Sequence, residues 1–301
     1  MSIYVISSKS VEIQLKDCTL FIGLFFIKRM GAEVIMSTTE ATAAGAQAAA
    51  SEQVAGNEPI LTIAGLSKQF SAKGPVIIDN LNLRVKAGEF VSLVGASGCG
   101  KSTLLNILAG LDRQSSGEVE IGAQTSLMFQ ESALLPWLTA GKNIELALKL
   151  SNYPRASRKA RAQELLELVH LPNVYKLRPH ELSGGMRQRV AIARALAQDR
   201  KILLMDEPFA ALDAITRDFL HDELIRIWEQ TGLTVIFVTH NVREAVRLGE
   251  RVILMSSKPG RIIREWKVNV REPKRIDSAE VSTLAAVITD ELRNEIRRHA
   301  N

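Results

Sequence analysis

From residue 60 onward the chain sorts into two periodicities. Leu61 and Ile63 occupy alternate positions, as do Leu81, Leu83 and Val85, the period of half-buried strands. Residues 90–94 (FVSLV) are nearly all apolar, as in a strand covered on both faces. That run meets Gly95 and a glycine-rich turn, and residues 101–109 then take helical spacing. Residues 202–205 and 234–238 are two further buried-strand runs. Each leads into polar residues and then a helical pattern, at 214–229 and 242–248. Residues 251–255, Lys258-Pro259-Gly260 and residues 261–268 read as strand, turn and strand. Between about 132 and 197 the pattern is almost wholly helical, and 283–298 reads as a closing helix. Strands interleaved with helices predict an α/β fold with a mainly parallel core sheet.

The first 58 residues have a different texture. Residues 20–27 (LFIGLFFI) are apolar and are followed by Lys28 and Arg29, but the run falls short of the roughly 20 residues needed to span a bilayer. As the hydrophobic part of a signal peptide it is opposed by Glu12 and Asp17 upstream and by the lack of a small-residue cleavage site close behind. Met36 opens MSTTEATAAGAQ, which reads as a natural amino terminus, so 1–35 is read as an over-extended start. Residues 37–59, rich in Ala, Thr, Gln and Ser, bury too little apolar area to offset their ordering entropy. The chain thus divides into a disordered or mis-started tail, 1–58, and a folded part, 59–301.

Composition narrows the classes. In 301 residues the net charge is +5, enough for an anionic ligand or a membrane-facing surface but too weak to argue for nucleic acid. Two cysteines, Cys18 and Cys99, make neither a disulfide framework nor a structural zinc site.

Gly95-Ala96-Ser97-Gly98-Cys99-Gly100-Lys101-Ser102, with Thr103 next, satisfies G-x-x-x-x-G-K-[ST] between a predicted strand and a predicted helix. Glycines let the backbone approach a phosphate chain and turn its amides inward, and the helix aims its positive end at the same anions. Lys101 adds a point charge for the β and γ phosphates, and Ser102 a hydroxyl for Mg²⁺. Asp206 and Glu207 end the buried run 202–205. Asp206 can hold Mg²⁺, and Glu207, projecting the other way, can orient or deprotonate a water. Taken alone, an Asp-Glu pair is more often a solvated strand end; the upstream phosphate loop reverses that reading. His240 follows another buried run at a place that reaches a γ-phosphate, and Gln130 ends a short run at 127–129 where it could sense Mg²⁺ or the water. Ser183-Gly184-Gly185 opens a helical stretch, a second anion-binding terminus or a plain helix cap.

The string LSGGMRQRVAIARAL at 182–196, lying between the phosphate loop and the Asp-Glu strand, resembles the signature of the ATP-binding-cassette (ABC) ATPases. The resemblance runs from about residue 60 to 265 and includes FQ at 129–130, MDEP at 205–208, ALD at 211–213 and TH at 239–240. It implies a P-loop NTPase cassette: the parallel core sheet, an antiparallel β subdomain, a helical subdomain inserted at about 132–197, and a short C-terminal extension at about 269–301. It implies ATP and Mg²⁺, the latter on Ser102, Gln130 and Asp206. It implies Phe70 as the adenine-stacking aromatic, although Phe70 would serve equally as a core residue. It also implies two copies paired head to tail: Ser183, Gly184, Gly185 and Gln188 of one copy meet the nucleotide on Lys101 of the other, and Asp213 lies at the seam. Glu207 is then the general base and His240 positions the γ-phosphate.

FQESALLPWLTAGKNI, GGMRQRVAIARAL and DEPFAALDAITR are together similar to the nitrate, sulfonate and taurine importer branch. That implies a peripheral ATPase on the cytoplasmic face of a bacterial inner membrane, bound to transmembrane permease subunits and fed indirectly by a periplasmic solute-binding protein. An exposed Leu-Leu-Pro-Trp at 134–137 would form an apolar socket for a partner helix; packing inside the helical subdomain is the competing expectation. The rival classes are a soluble cassette of the cluster-assembly type and an export or lipid-extraction cassette. Cys99 lies inside the phosphate loop, so a bulky thiol reagent is expected to block nucleotide binding and ATP to protect. N-terminal mass spectrometry of the mature protein is expected to find no peptide covering 20–27; recovering one would refute the over-extended start.

Overall fold

The computed structural model describes residues 59–71, 73–269 and 278–299. The tail assigned to 1–58 lies outside the described residues. Two sheets form. Strands β1 (Pro59–Gln69), β2 (Val76–Lys86) and β4 (Ser116–Ile121) make an antiparallel sheet in the order β2-β1-β4. Strands β3 (Phe90–Gly95), β5 (Thr125–Met128), β6 (Ile202–Asp206), β7 (Thr234–Val238), β8 (Arg251–Met255) and β9 (Ile262–Lys267) make the second, in the order β5-β6-β7-β3-β8-β9. All its pairings are parallel except that of β9, which runs antiparallel to β8 on the edge.

Strand alternation divides the core between the two faces of this sheet. Val91, Leu93, Leu204, Ile236 and Val238 join one apolar cluster with Leu104, Leu105 and Leu108 of helix α1 (Lys101–Leu108) and with the inner residues of β1 and β2. Phe90, Leu203, Met205, Val235 and Phe237 face the other way. They pack with residues of α2 (Ala140–Leu150), α3 (Arg158–Leu168), α4 (Gly184–Leu196) and α5 (Ala214–Thr231). A third cluster joins Val94, Val252 and Leu254 to α6 (Val242–Leu248) and α7 (Ala279–His299). Being buried on both faces, β3, β6 and β7 read as unbroken apolar runs instead of alternating ones.

The helical reading of 132–197 holds for α2, α3 and α4 but not for the segments that lead into and join them. Residues 132–139 form an irregular loop. Buried Asn143 organises it: its side-chain oxygen accepts from the Leu135 amide at 2.8 Å, and its amide donates to the carbonyls of Leu135, Leu138 and Thr139 at 3.2, 3.3 and 3.0 Å. Residues 169–183 hold only a short 3₁₀ turn, Pro179–Glu181. The expected Leu-Leu-Pro-Trp socket divides: Leu134 is buried in the helical cluster, whereas Pro136 is exposed and Trp137 is 64% exposed.

Leu204 is fully buried at the centre of the parallel sheet. Leu204→Ala is expected to cost about 3 kcal/mol in urea unfolding; a loss below about 1 kcal/mol would mean that the site collapses around the cavity.

Candidate active site

Because β3, β5, β6 and β7 are parallel, the residues that follow them emerge at one edge of the sheet. The phosphate loop follows β3. Gly98 and Gly100 take positive φ, 77° and 100°, the left-handed region that favours glycine. At Gly100 a Cβ would also lie 2.9 Å from Cγ1 of Ile78. Behind the loop, Gly260 packs so closely that its Cβ would lie 2.1 Å from the Cys99 carbonyl oxygen. The Lys101 ammonium donates to the Gly95 and Ala96 carbonyls, both at 2.9 Å, and lies 3.7 Å from the Cys99 sulfur. Ser97, Gly98 and Ser102 are exposed, while Ala96 and Thr103 are half-buried.

The structure corrects the expectation for Cys99. Its backbone belongs to the loop, but its side chain is fully buried in the cluster beneath β3. The thiol is therefore not presented to a reagent in the folded protein.

Asp206 ends β6, near the Ser102 hydroxyl. Burial pushes the Asp206 carboxyl above its ordinary range, opposed by that hydroxyl; the neighbouring Glu207 charge adds to the rise and Lys101 opposes it. Two hard oxygen donors brought together from different elements suit Mg²⁺. Glu207 sits at φ 44°, an uncommon conformation for a residue with a side chain, and its amide donates to the Val238 carbonyl at 2.9 Å. Its carboxylate meets His240 Nδ1 at 2.8 Å. A carboxylate only accepts, so Nδ1 carries the proton in this contact. Gln130 is exposed two residues beyond Met128, the last residue of β5.

The Ser-Gly-Gly segment lies at the start of α4. The Ser183 hydroxyl caps the helix by accepting from the Met186 amide at 3.2 Å. Gly184 is exposed, while Gly185 is buried so closely that a Cβ would lie 2.4 Å from Cγ2 of Thr216. Gln188 departs from the expected role beside Ser183: it is buried, and its amide donates to the Pro208 carbonyl, tying α4 to the loop after Glu207. Asp213 caps α5 by accepting from the Thr216 amide at 3.0 Å, and these hydrogen bonds hold its carboxyl below the usual range. Phe70 is not a core residue; it is 67% exposed, with the Lys68 ammonium 4.8 Å from its ring centre.

Sequence reasoning named Thr239 only as part of the TH pair, without a role, and passed over Glu244; both are buried. The Thr239 hydroxyl donates to the Glu244 carboxylate. The sequence offered only a glutamate four residues after His240; its burial emerges in the fold.

Residues 78–210 match the family model described as ABC transporter. The aliphatic sulfonates import ATP-binding protein SsuB of Bacillus cereus is 44% identical over 224 residues, covering 71% of this chain and 88% of the relative. The chain belongs to the ABC transporter ATP-binding proteins. Its activity is ATP hydrolysis coupled to transport. A second relative of this cassette is the nitrate import ATP-binding protein NrtD of Synechocystis, 45% identical over 220 residues, covering 70% and 83% of the two chains. Among solved structures, a dimeric post-hydrolysis state of the ATP-binding cassette MJ0796, bound to ADP and Pi, superimposes with a TM-score of 0.62 at 36% identity. That match covers 70% of this chain and 100% of the other. The expected α/β cassette, with its parallel core sheet and separate antiparallel sheet, is the fold observed. Among the described residues, no helix is long and apolar enough to cross a membrane.

Native cassette is expected to react with a bulky aromatic disulfide at Cys99 at least about tenfold more slowly than cassette in urea, because the thiol must first be uncovered. Equal rates would place the thiol at the surface.

Proposed function

We propose that the chain is the ATP-hydrolysing subunit of a bacterial importer for a small anion such as a sulfonate, taurine or nitrate. Residues 59–301 form the cassette, 132–197 its helical subdomain and 269–301 its C-terminal extension. The relatives named for sulfonate and nitrate import support the solute class, and a bicarbonate transport relative, CmpC of Synechocystis, 50% identical over 195 residues that cover 62% of this chain and 29% of the relative, extends it to another small anion. The permease supplies the membrane path, a periplasmic binding protein supplies the solute, and the cassette lies peripherally on the cytoplasmic face.

The observation that carries the catalytic reading is the convergence of Ser102, Asp206, Glu207 and His240 at one sheet edge from three different strands. The loop amides at 95–103 and Lys101 take the phosphates, and Phe70 offers an open ring face to the base. To reach a phosphate, the Lys101 ammonium exchanges its two carbonyl partners for phosphate oxygens. Mg²⁺, when bound by Ser102 and Asp206 with Gln130 beside them, neutralises phosphate charge. Glu207 accepts the proton of the attacking water, and His240 positions the γ-phosphate.

Two copies complete each site. Ser183 caps α4 and Gly184 and Gly185 open it, beside Leu212 and Thr216; these three meet the nucleotide held by the other copy. The dimeric state of MJ0796 supports this arrangement, as does exposed apolar surface next to Asp213: Ile215 is 85% exposed, and Phe219 is exposed one turn further on. Gln188 supports the signature from behind through Pro208.

Glu207→Gln is expected to bind ATP and dimerise, yet hydrolyse it at least about a hundredfold more slowly. Near-normal turnover would remove Glu207 as the base, and a trapped variant that stays monomeric alongside its permease would refute the two-copy site.

A further inference from the structure

Behind the exposed Glu207–His240 pair lies a buried chain of polar side chains. Thr239 follows the last residue of β7 and immediately precedes His240; its hydroxyl accepts from the Asn241 amide at 3.0 Å and donates to one oxygen of Glu244 on α6. The other Glu244 oxygen lies 2.6 Å from Nε2 of His221 on α5, a histidine with no exposed surface. His221 Nδ1 faces the Arg247 guanidinium at 3.2 Å, and Arg247 pairs with Asp218 at 2.9 Å and Asp222 at 2.7 Å.

The proton positions follow from the donors. Arginine can only donate, so His221 Nδ1 accepts and its Nε2 carries the hydrogen that Glu244 receives. Glu244 therefore accepts twice, once from each side, and both of its oxygens are committed. A buried carboxylate needs such partners, and it holds them in fixed orientation in return. This chain runs from α5 through α6 to the residue that carries His240. We propose that Glu244 is a positioning residue for ATP hydrolysis: through Thr239 it fixes the turn that aims His240 at the γ-phosphate, with His221 anchoring Glu244 to α5. The inference rests on the role given to His240 above.

Glutamine tests the point because it keeps the shape and can accept at only one end. His221 requires that acceptor, so the amide of Glu244→Gln turns its NH₂ to Thr239, and the Thr239 hydroxyl proton loses its partner. Thr239→Val removes the same bond from the other side without changing charge. Steady-state ATPase assays of the full-length chain compare His240→Ala, Glu244→Gln, Thr239→Val and the His240→Ala/Glu244→Gln double variant. We expect each single variant to lose about tenfold or more in kcat, while KM for ATP stays within about twofold because the phosphate loop is untouched. The double variant should be no slower than His240→Ala alone, since Glu244 acts through His240. If Glu244→Gln does not fold, Thr239→Val decides by the same criteria. Wild-type kcat in folded Glu244→Gln or Thr239→Val, or losses that multiply in the double variant, would overturn the positioning role. Wild-type kcat in His240→Ala would instead overturn the reading of His240 itself, and this inference with it.

Discussion

Parallel pairing of β3 with β7 and β8, and of β6 with β5 and β7, is the constraint on which the site depends. Parallel strands end on the same side, so groups far apart in sequence are delivered to one crevice without long-range contacts of their own. Ser102 and Asp206 come near one another because the ends of β3 and β6 are separated only by β7. Glu207 and His240 touch because β6 and β7 are neighbours. The apolar faces that bury these strands therefore stabilise the fold and set the spacing of the chemistry together.

Much of this was legible in the sequence, and the legible parts share a cause. Strands buried on both faces leave unbroken apolar runs, so 90–94, 202–205 and 234–238 announced themselves, and the polar residues just beyond them were the site residues. What escaped notice carries a weaker imprint. β4 reads SGEVEI and is mostly exposed, so it lacks the apolar run that marks a strand. The loop at 132–139 contains enough Leu and Ala to look helical, and its path is set by one buried amide, Asn143, whose partners are backbone atoms that no side-chain pattern reveals. Cys99 misled for a related reason: membership of a phosphate-binding motif fixes where the backbone goes, whereas the direction of a side chain depends on φ and on what lies beneath.

Several residues serve both as structure and as candidate chemistry. Ser183 and Asp213 each cap a helix, and Gln188 ties the signature helix to the loop after Glu207. Caps and ties of this kind fix the two loops relative to one another, and the proposed pairing of two copies would draw on that rigidity. Their conformational entropy is lost on folding, so little would remain to be lost on such pairing.

The tight seat of Gly260 against the nucleotide loop has a consequence for sequence drift. The hairpin between β8 and β9 is at the rim of the molecule, where exchanges are usually tolerated. Here a single added methyl would strike a carbonyl of the phosphate cradle. Which residues this peripheral turn can accept is thus decided by the geometry of a binding loop formed much earlier in the chain, and the hairpin is free to vary only outward, toward solvent.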